Sequence, residues 1–181
     1  YENALSLNKN FYLAYFNRGI ALQKQEKLNE SIDSFSEAIK LNSKYSEAYY
    51  NRGNSYRDIN KLDFALSDYL SAFKIKPDLQ NLFGNIFATK NNLCDWKNYK
   101  KNLSYLEKQV LNNKCIMSPF TSLSAFNSTK IQNKVAKIHL STKFGDIHEN
   151  NKNNFSNKNK KDRKLKIGYF SSDFKKHAMS H

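Results

Sequence analysis

The sequence is poor in residues that interrupt helices and in residues that fasten small folds. Its 181 residues include only two prolines and five glycines, and this scarcity favours helices over a fold rich in β-turns. The two cysteines, Cys94 and Cys115, belong to no CxxC or Cys/His cluster. We therefore expect neither a disulfide framework nor a zinc site, and the pattern fits a reducing, cytoplasmic compartment.

Long apolar runs are also missing. No stretch of about 18 apolar residues occurs, so no membrane span and no membrane partner are predicted. The mean hydropathy of −0.78 and the 39% hydrophobic content predict a thin core, while 11 Tyr and 13 Phe exclude a fully disordered chain. The opening "YENALSLNKN" has neither Met nor a signal-peptide pattern, so we expect a longer parent protein.

The charge of +14 raises the question of nucleic-acid binding. Much of the surplus is assigned to "NNKNNFSNKNKKDRKLK", in which Asn and Lys alternate without aromatic side chains or a helical face. This composition favours a solvated linker, placed at residues 146–163, and not a nucleic-acid site. Phosphate binding by this tail is kept as an alternative.

Two segments of the chain repeat each other at a distance of 34 residues. "AYFNRGIALQKQEKLNESIDSFSEAIKLN" at 14–42 aligns with "AYYNRGNSYRDINKLDFALSDYLSAFKIK" at 48–76. This period resembles that of the tetratricopeptide repeat, in which two helices form each unit. The positions that carry the resemblance are Tyr15, Tyr49, Gly19, Gly53, Phe35, Tyr69, Ala65, Ala38, Ala72 and Pro77.

The repeat pattern has a physical reason. The glycines remove a side chain where the two helices of a repeat press together, and Ala38 and Ala72 do the same where one repeat meets the next. Because no helix pair buries its apolar face alone, neighbouring pairs stack. We predict a mostly α-helical, right-handed superhelix over residues 1–79, with a partial repeat at 1–11 and full repeats at 12–45 and 46–79. Residues 80–145 are predicted to form a degenerate repeat and transition helices.

An asparagine register runs through the repeats at Asn17, Asn51 and Asn85. Equivalent positions line the concave face of such a superhelix, where a primary amide can both donate to and accept from a peptide backbone. We predict that these amides bind an extended polypeptide. The alternative is structural, because asparagine is frequent at this position in the repeat.

The order of motifs after the repeats resembles a larger family. Repeats followed by "CDW", "PF" and "KLKIGYFSSDFKKHAMSH" resemble the protein O-GlcNAc transferases and their bacterial relatives, which join such a superhelix to a two-lobed GT-B glycosyltransferase; a related plant-type branch transfers fucose. The resemblance implies that residues 164–181 begin a truncated catalytic domain, with "LKIGYF" as the first strand of an α/β lobe. This fragment alone is then expected to be inactive.

The resemblance also implies site residues and partners. His177 matches the active-site histidine and is expected to act as a base toward the acceptor hydroxyl, with His181 in support. The donor would be UDP-GlcNAc or a related nucleotide sugar held by lobes beyond the present sequence, with no metal or other cofactor. The acceptors would be Ser or Thr of proteins gripped by the repeats. The alternative function is a non-catalytic scaffold for protein–protein interaction.

Overall fold

The computed structural model describes residues 12–144, and in that range the chain is entirely helical and contains no strand. The chain forms eight helices, which we number in order: α1 (Tyr12–Lys24), α2 (Leu28–Leu41), α3 (Ser46–Asp58), α4 (Leu62–Ile75), α5 (Leu82–Asn92), α6 (Tyr99–Leu111), α7 (Pro119–Ala125) and α8 (Thr129–Phe144). The mostly α-helical fold predicted from the sequence is confirmed for these residues. None of the described helices is long and apolar enough to cross a bilayer.

Each of the first two helix pairs closes around a glycine and an aromatic ring. A Cβ atom built on Gly19 would lie 2.5 Å from the ring of Phe35, and one on Gly53 would lie 2.7 Å from the ring of Tyr69. Both rings are fully buried. The predicted role of the two glycines is therefore confirmed, since only a residue without a side chain lets α1 approach α2, and α3 approach α4, so closely.

Alanines occupy the contacts between successive pairs. Ala38 of α2 is fully buried and shares a core cluster with Ala48 of α3. Ala72 of α4 is also fully buried, against Leu82 and Ile86 of α5. The helices thus stack in chain order, with α2 packed on α3 and α4 packed on α5.

A buried ion pair ties α3 to α4. The guanidinium of Arg52 donates to both carboxylate oxygens of Asp68, at 2.8 and 2.7 Å, and also to the hydroxyl of Ser36 on α2 at 2.9 Å. The Asp68 side chain is only 7% exposed. Because each carboxylate oxygen has a charged donor, the pair satisfies the desolvated groups and joins three helices.

A second, more exposed pair joins Glu47 at the start of α3 to Lys76 after α4, at 3.0 Å. Partial burial acts to raise the pKa of Glu47, but hydrogen bonds from Ser46 and from Lys76 outweigh it, and the pKa lies below its ordinary value. The ionised carboxylate is therefore the form that the fold favours.

The turns keep the 34-residue period even where the glycine signature ends. Glu26, Asn60 and Cys94 all adopt left-handed backbone angles, with φ values of 61°, 60° and 56°. The residue after each of them donates its amide to a carbonyl in the last turn of the preceding helix, at 3.0, 2.8 and 2.9 Å respectively. Helix α5 therefore ends as α1 and α3 do, and it is the first helix of a third unit.

The second helix of that third unit is displaced. Phe87 stands where the repeats have glycine, and its ring is buried, so α6 cannot approach α5 in the same way. The two helices meet at only a few residues, and α6 begins five residues after Cys94. Instead, the segment before α7 packs on α5: Gly84 donates to the carbonyl of Ile116 at 2.9 Å, and a Cβ at Gly84 would lie 2.5 Å from Met117.

Helices α6, α7 and α8 enclose a separate core around Phe87. Their amphipathic pattern is confirmed by the buried side chains of this cluster: Leu106, Val110, Ile116, Met117, Ala125, Phe126 and Val135. The predicted cap at Asp95 is wrong, because α6 begins only at Tyr99. Asp95 pairs instead with Lys90 at 2.7 Å and accepts from the Lys97 amide, which fixes the turn after α5.

Candidate functional site

A groove of about 480 Å³ lies where α3, α5 and the start of α7 meet. Its walls are polar, with side-chain amides and hydroxyls in the majority. The described lining residues are Tyr50, Asn54 and Arg57 of α3, Asn81 just before α5, Asn85, Ala88, Thr89 and Asn92 of α5, and Ser118, Phe120 and Thr121 around the start of α7.

The helical repeat places these side chains. Tyr50, Asn54 and Arg57 are four and three residues apart, so they share one face of α3. Asn85 and Asn92 are seven residues apart and share a face of α5 in the same way. The opposite faces of both helices are committed to the core, as Gly53 and Phe87 show. The polar faces are therefore the ones left to line the groove.

A hydrogen-bond network fixes the amides at the centre of the groove. The buried Tyr69 donates its hydroxyl to Asn54 Oδ1 at 2.8 Å. Asn85 donates its amide nitrogen to the same oxygen and to the Tyr50 hydroxyl, each at 3.3 Å. These bonds cross from α3 to α5, so the two amides are held in place before any ligand arrives, which lowers the entropy lost on binding.

The titratable groups of the groove hold fixed charge states. Burial raises the pKa of Tyr50, although hydrogen bonds from Asn54 and Asn85 act in the opposite direction, and burial also raises the pKa of Tyr69. Both phenols are therefore neutral at physiological pH. Burial acts to lower the pKa of Arg57, but the neighbouring tyrosine hydroxyls and Asp58 raise it overall, so the guanidinium remains charged.

Helix α7 forms the end of the groove. Its start is fixed by Ser118, whose hydroxyl accepts from the Thr121 amide at 3.1 Å, and by Pro119 in the first turn. This capped start agrees with the loop and helix start predicted at these residues. Phe120, the next residue, is 84% exposed. The groove thus ends beside an aromatic ring that the fold itself leaves uncovered.

The structure places the three predicted asparagines on the first helices of three successive units. Asn17 is exposed on α1. Asn51 donates its amide to the Glu47 carbonyl of its own helix at 2.8 Å. Asn85 alone lines the groove, where it forms the network described above. Peptide binding by the three residues stays a prediction.

The predicted strand at 165–170 and the residues His177 and His181 lie outside the described part of the chain, as do the partial repeat at 1–11, the linker at 146–163 and the catalytic segment at 164–181. Within residues 12–144, no group of three His, Cys, Asp or Glu side chains is arranged to hold a metal ion.

Several groove residues escaped the sequence reasoning. Tyr50, Asn54 and Arg57 share a helix face and were detectable by extending the face of Asn85 to the neighbouring unit. Phe120 had no such signal, because its place at the groove depends on how α7 packs after the repeat pattern has ended.

Comparisons with known proteins agree with this geometry. The tetratricopeptide-repeat family matches residues 12–45 and, in a second profile of the same description, residues 46–79. The predicted tetratricopeptide repeats are thereby confirmed, and residues 80–181 lie outside both matches. A comparison with curated protein sequences gives no match.

Solved structures show the same fold at low sequence identity. The crystal structure of MamA is 14% identical, with a TM-score of 0.53, and covers 76% of this chain and 79% of its own. The crystal structure of YrrB, described as a TPR protein with an unusual peptide-binding site, is 17% identical, with a TM-score of 0.52, and covers 76% of this chain and 72% of its own. Neither likeness extends beyond the fold.

Proposed function

We propose that the two tetratricopeptide repeats and the helices after them bind an extended segment of another polypeptide, in the groove between α3, α5 and α7. The observation that carries this proposal is the row of fixed amides and neutral hydroxyls along the groove. An extended peptide exposes its backbone N–H and C=O groups, and side-chain amides supply both the donors and the acceptors that pair with them.

The composition of the groove argues against other uses. Small-molecule pockets of this size are mostly apolar with a few polar groups, whereas here the polar groups predominate. The described lining residues include no carboxylate, histidine or cysteine, and these are the usual nucleophiles and bases of catalysis. Recognition is therefore the chemistry that the groove supports.

The ends of the groove suggest the chemistry of the bound segment. Arg57 supplies a positive charge, although Asp58 accepts from its Nε and Nη2 at 3.1 and 2.9 Å. Phe120 supplies an uncovered aromatic ring. We expect a segment with an acidic side chain near Arg57 and an apolar side chain near Phe120. The peptide-binding site named for YrrB supports the use of this fold for such ligands.

A peptide selected from a displayed random library tests the proposal. Phe120→Ala is expected to weaken binding of the selected peptide at least about tenfold, because exposed aromatic anchors commonly carry 1–3 kcal/mol of binding energy. Leu123→Ala is the matched control: Leu123 is also on α7 and is 61% exposed, but it is not among the described groove residues. Equal losses for the two variants would remove the groove as the binding site.

We also propose, as a second function, that the peptide bound by the repeats is the acceptor of a protein O-glycosyltransferase. This proposal rests on "KLKIGYFSSDFKKHAMSH" at residues 164–181 and on its order after the repeats. Its test is sugar transfer from UDP-GlcNAc to Ser or Thr by the protein that the whole gene encodes. Loss of transfer in His177→Ala, with peptide binding unchanged, supports the proposal, and full activity of that variant contradicts the role of His177.

A further inference from the structure

The basic surplus is concentrated in the helices after the repeats. Residues 80–144 contain ten lysines, no arginine and only two acidic residues, Asp95 and Glu107. Residues 12–79, in contrast, hold ten basic and nine acidic residues. Residues 150–166, to which the surplus was assigned from the sequence, contain seven basic residues and one acidic residue. The surplus of eight on the described helices is therefore larger than that of the tail.

Three of these lysines line one side of α8. Lys130, Lys134 and Lys137 border an open groove of about 500 Å³, together with Asn113 and Asn133, while Ile138 lies at its base. At a rise of about 1.5 Å per residue, the three lysines span roughly 10 Å along the helix.

The charges in this groove are uncompensated. Lys134 donates to the Leu111 carbonyl at 2.8 Å, which fixes it at the groove wall. Lys130 and Lys137 are exposed and form no ion pair within residues 12–144. The lining contains no acidic side chain among the described residues. An anion bound here would meet three positive charges and two amide donors.

We propose that the α8 groove, defined by Lys130, Lys134, Lys137, Asn113 and Asn133, binds the phosphate backbone of a nucleic-acid duplex. A duplex strand carries one phosphate per about 3.4 Å of its axis, so a row of lysines about 10 Å long faces several phosphates at once. Lysine acts as a point charge without directional preference, which suits a regular row of phosphates.

The composition of the groove separates this ligand from related ones. Recognition of individual carboxylates in an acidic peptide favours the fork of arginine, and residues 80–144 contain none. Binding of single strands relies on aromatic side chains that stack with bases, and the described lining has no aromatic residue. The interaction is therefore with the backbone, independent of base sequence and sensitive to salt.

The test measures binding of the intact 181-residue chain to a fluorescein-labelled 20-base-pair DNA duplex by anisotropy between 50 and 200 mM salt. The variant Lys130→Gln/Lys137→Gln removes two charges from the groove, and glutamine preserves helix propensity. The control Lys24→Gln/Lys44→Gln removes two exposed charges from the repeats. Circular dichroism establishes that both variants are as helical as the parent.

The groove variant is expected to lower the slope of log K against log salt by about 2, and to weaken binding roughly 60-fold at 0.1 M salt, since each lost phosphate contact contributes about 0.9 to the slope. The control is expected to change the affinity less than threefold. Equal losses in the two variants, no binding of the parent at 50 mM salt, or tighter binding to polyglutamate or to phosphatidylserine vesicles than to the duplex would each overturn the proposal.

Discussion

The contact between Gly53 and Tyr69 offers a sharp test of how the repeats are packed. In Gly53→Ala, the new methyl group would lie 2.7 Å from Cε1 and 2.9 Å from Cδ1 of Tyr69, and 3.3 Å from the Ala65 carbonyl oxygen. The ring has little freedom to retreat, because it is fully buried and its hydroxyl is bound to Asn54.

Two opposing effects determine the magnitude. Alanine improves on glycine in a helix by about 1 kcal/mol. Overpacking typically costs about 1–3 kcal/mol, and a displaced ring also loses a hydrogen bond of about 1 kcal/mol. We therefore expect the free energy of unfolding to fall by roughly 1–3 kcal/mol, so that packing outweighs propensity.

Urea denaturation followed by circular dichroism measures this change. The control is Asn17→Ala, an exposed position on α1, which is expected to be neutral or slightly stabilising. The double variant Gly53→Ala/Tyr69→Leu provides a mutant cycle in which the smaller side chain relieves the clash, so its destabilisation is expected to be less than the sum of the two single effects. A stabilising Gly53→Ala, or an additive cycle, would refute the close-packing argument.

Three further predictions concern the same helices. Asp68→Ala is expected to lower the free energy of unfolding by about 2–4 kcal/mol in urea denaturation, because it leaves the charge of Arg52 largely buried without its partner; a change under 0.5 kcal/mol would contradict this. Glu26→Gly is expected to raise the urea midpoint, by about 0.5–1 kcal/mol of stability, since glycine accepts a positive φ without strain, and Asn60→Gly should gain less because asparagine tolerates that conformation; an equal or reversed order would count against it. Glu47 has a lowered pKa, so its stabilisation is present above the unfolded-state pKa of about 4.3 and is lost as the pH falls through the lower folded-state pKa; Glu47→Gln should therefore lose a few tenths of a kcal/mol at pH 7 and none below the folded-state pKa, and a pH-independent difference would exclude this linkage.

The sequence predicted the repeats well because their contacts are local and recur. Gly19 and Phe35, like Gly53 and Tyr69, are 16 residues apart, and the same small and large residues return after 34 residues. The displacement of α6 was beyond this reasoning. It arises from the bulk of Phe87 and from the longer connection after Cys94, and its direction is set by where the Met117 segment packs.

The candidate site was predicted only in part, for a related reason. Asn85 was found because it keeps the register of the repeat. The hydrogen bonds that orient it come from Tyr50 and Asn54 on the preceding unit, and they become visible only when α3 and α5 are placed side by side. Phe120 reaches the groove through the packing of α7, for which the sequence offers no repeating pattern.

The most direct test of peptide binding is the response of the side-chain amide resonances of Asn54 and Asn85 in ¹⁵N-labelled protein to a peptide selected from the displayed library. We predict that both pairs of resonances shift in proportion to occupancy, and that Phe120→Ala reduces the occupancy at a given peptide concentration. Saturable binding of the peptide with both sets of resonances unchanged would contradict the proposed site.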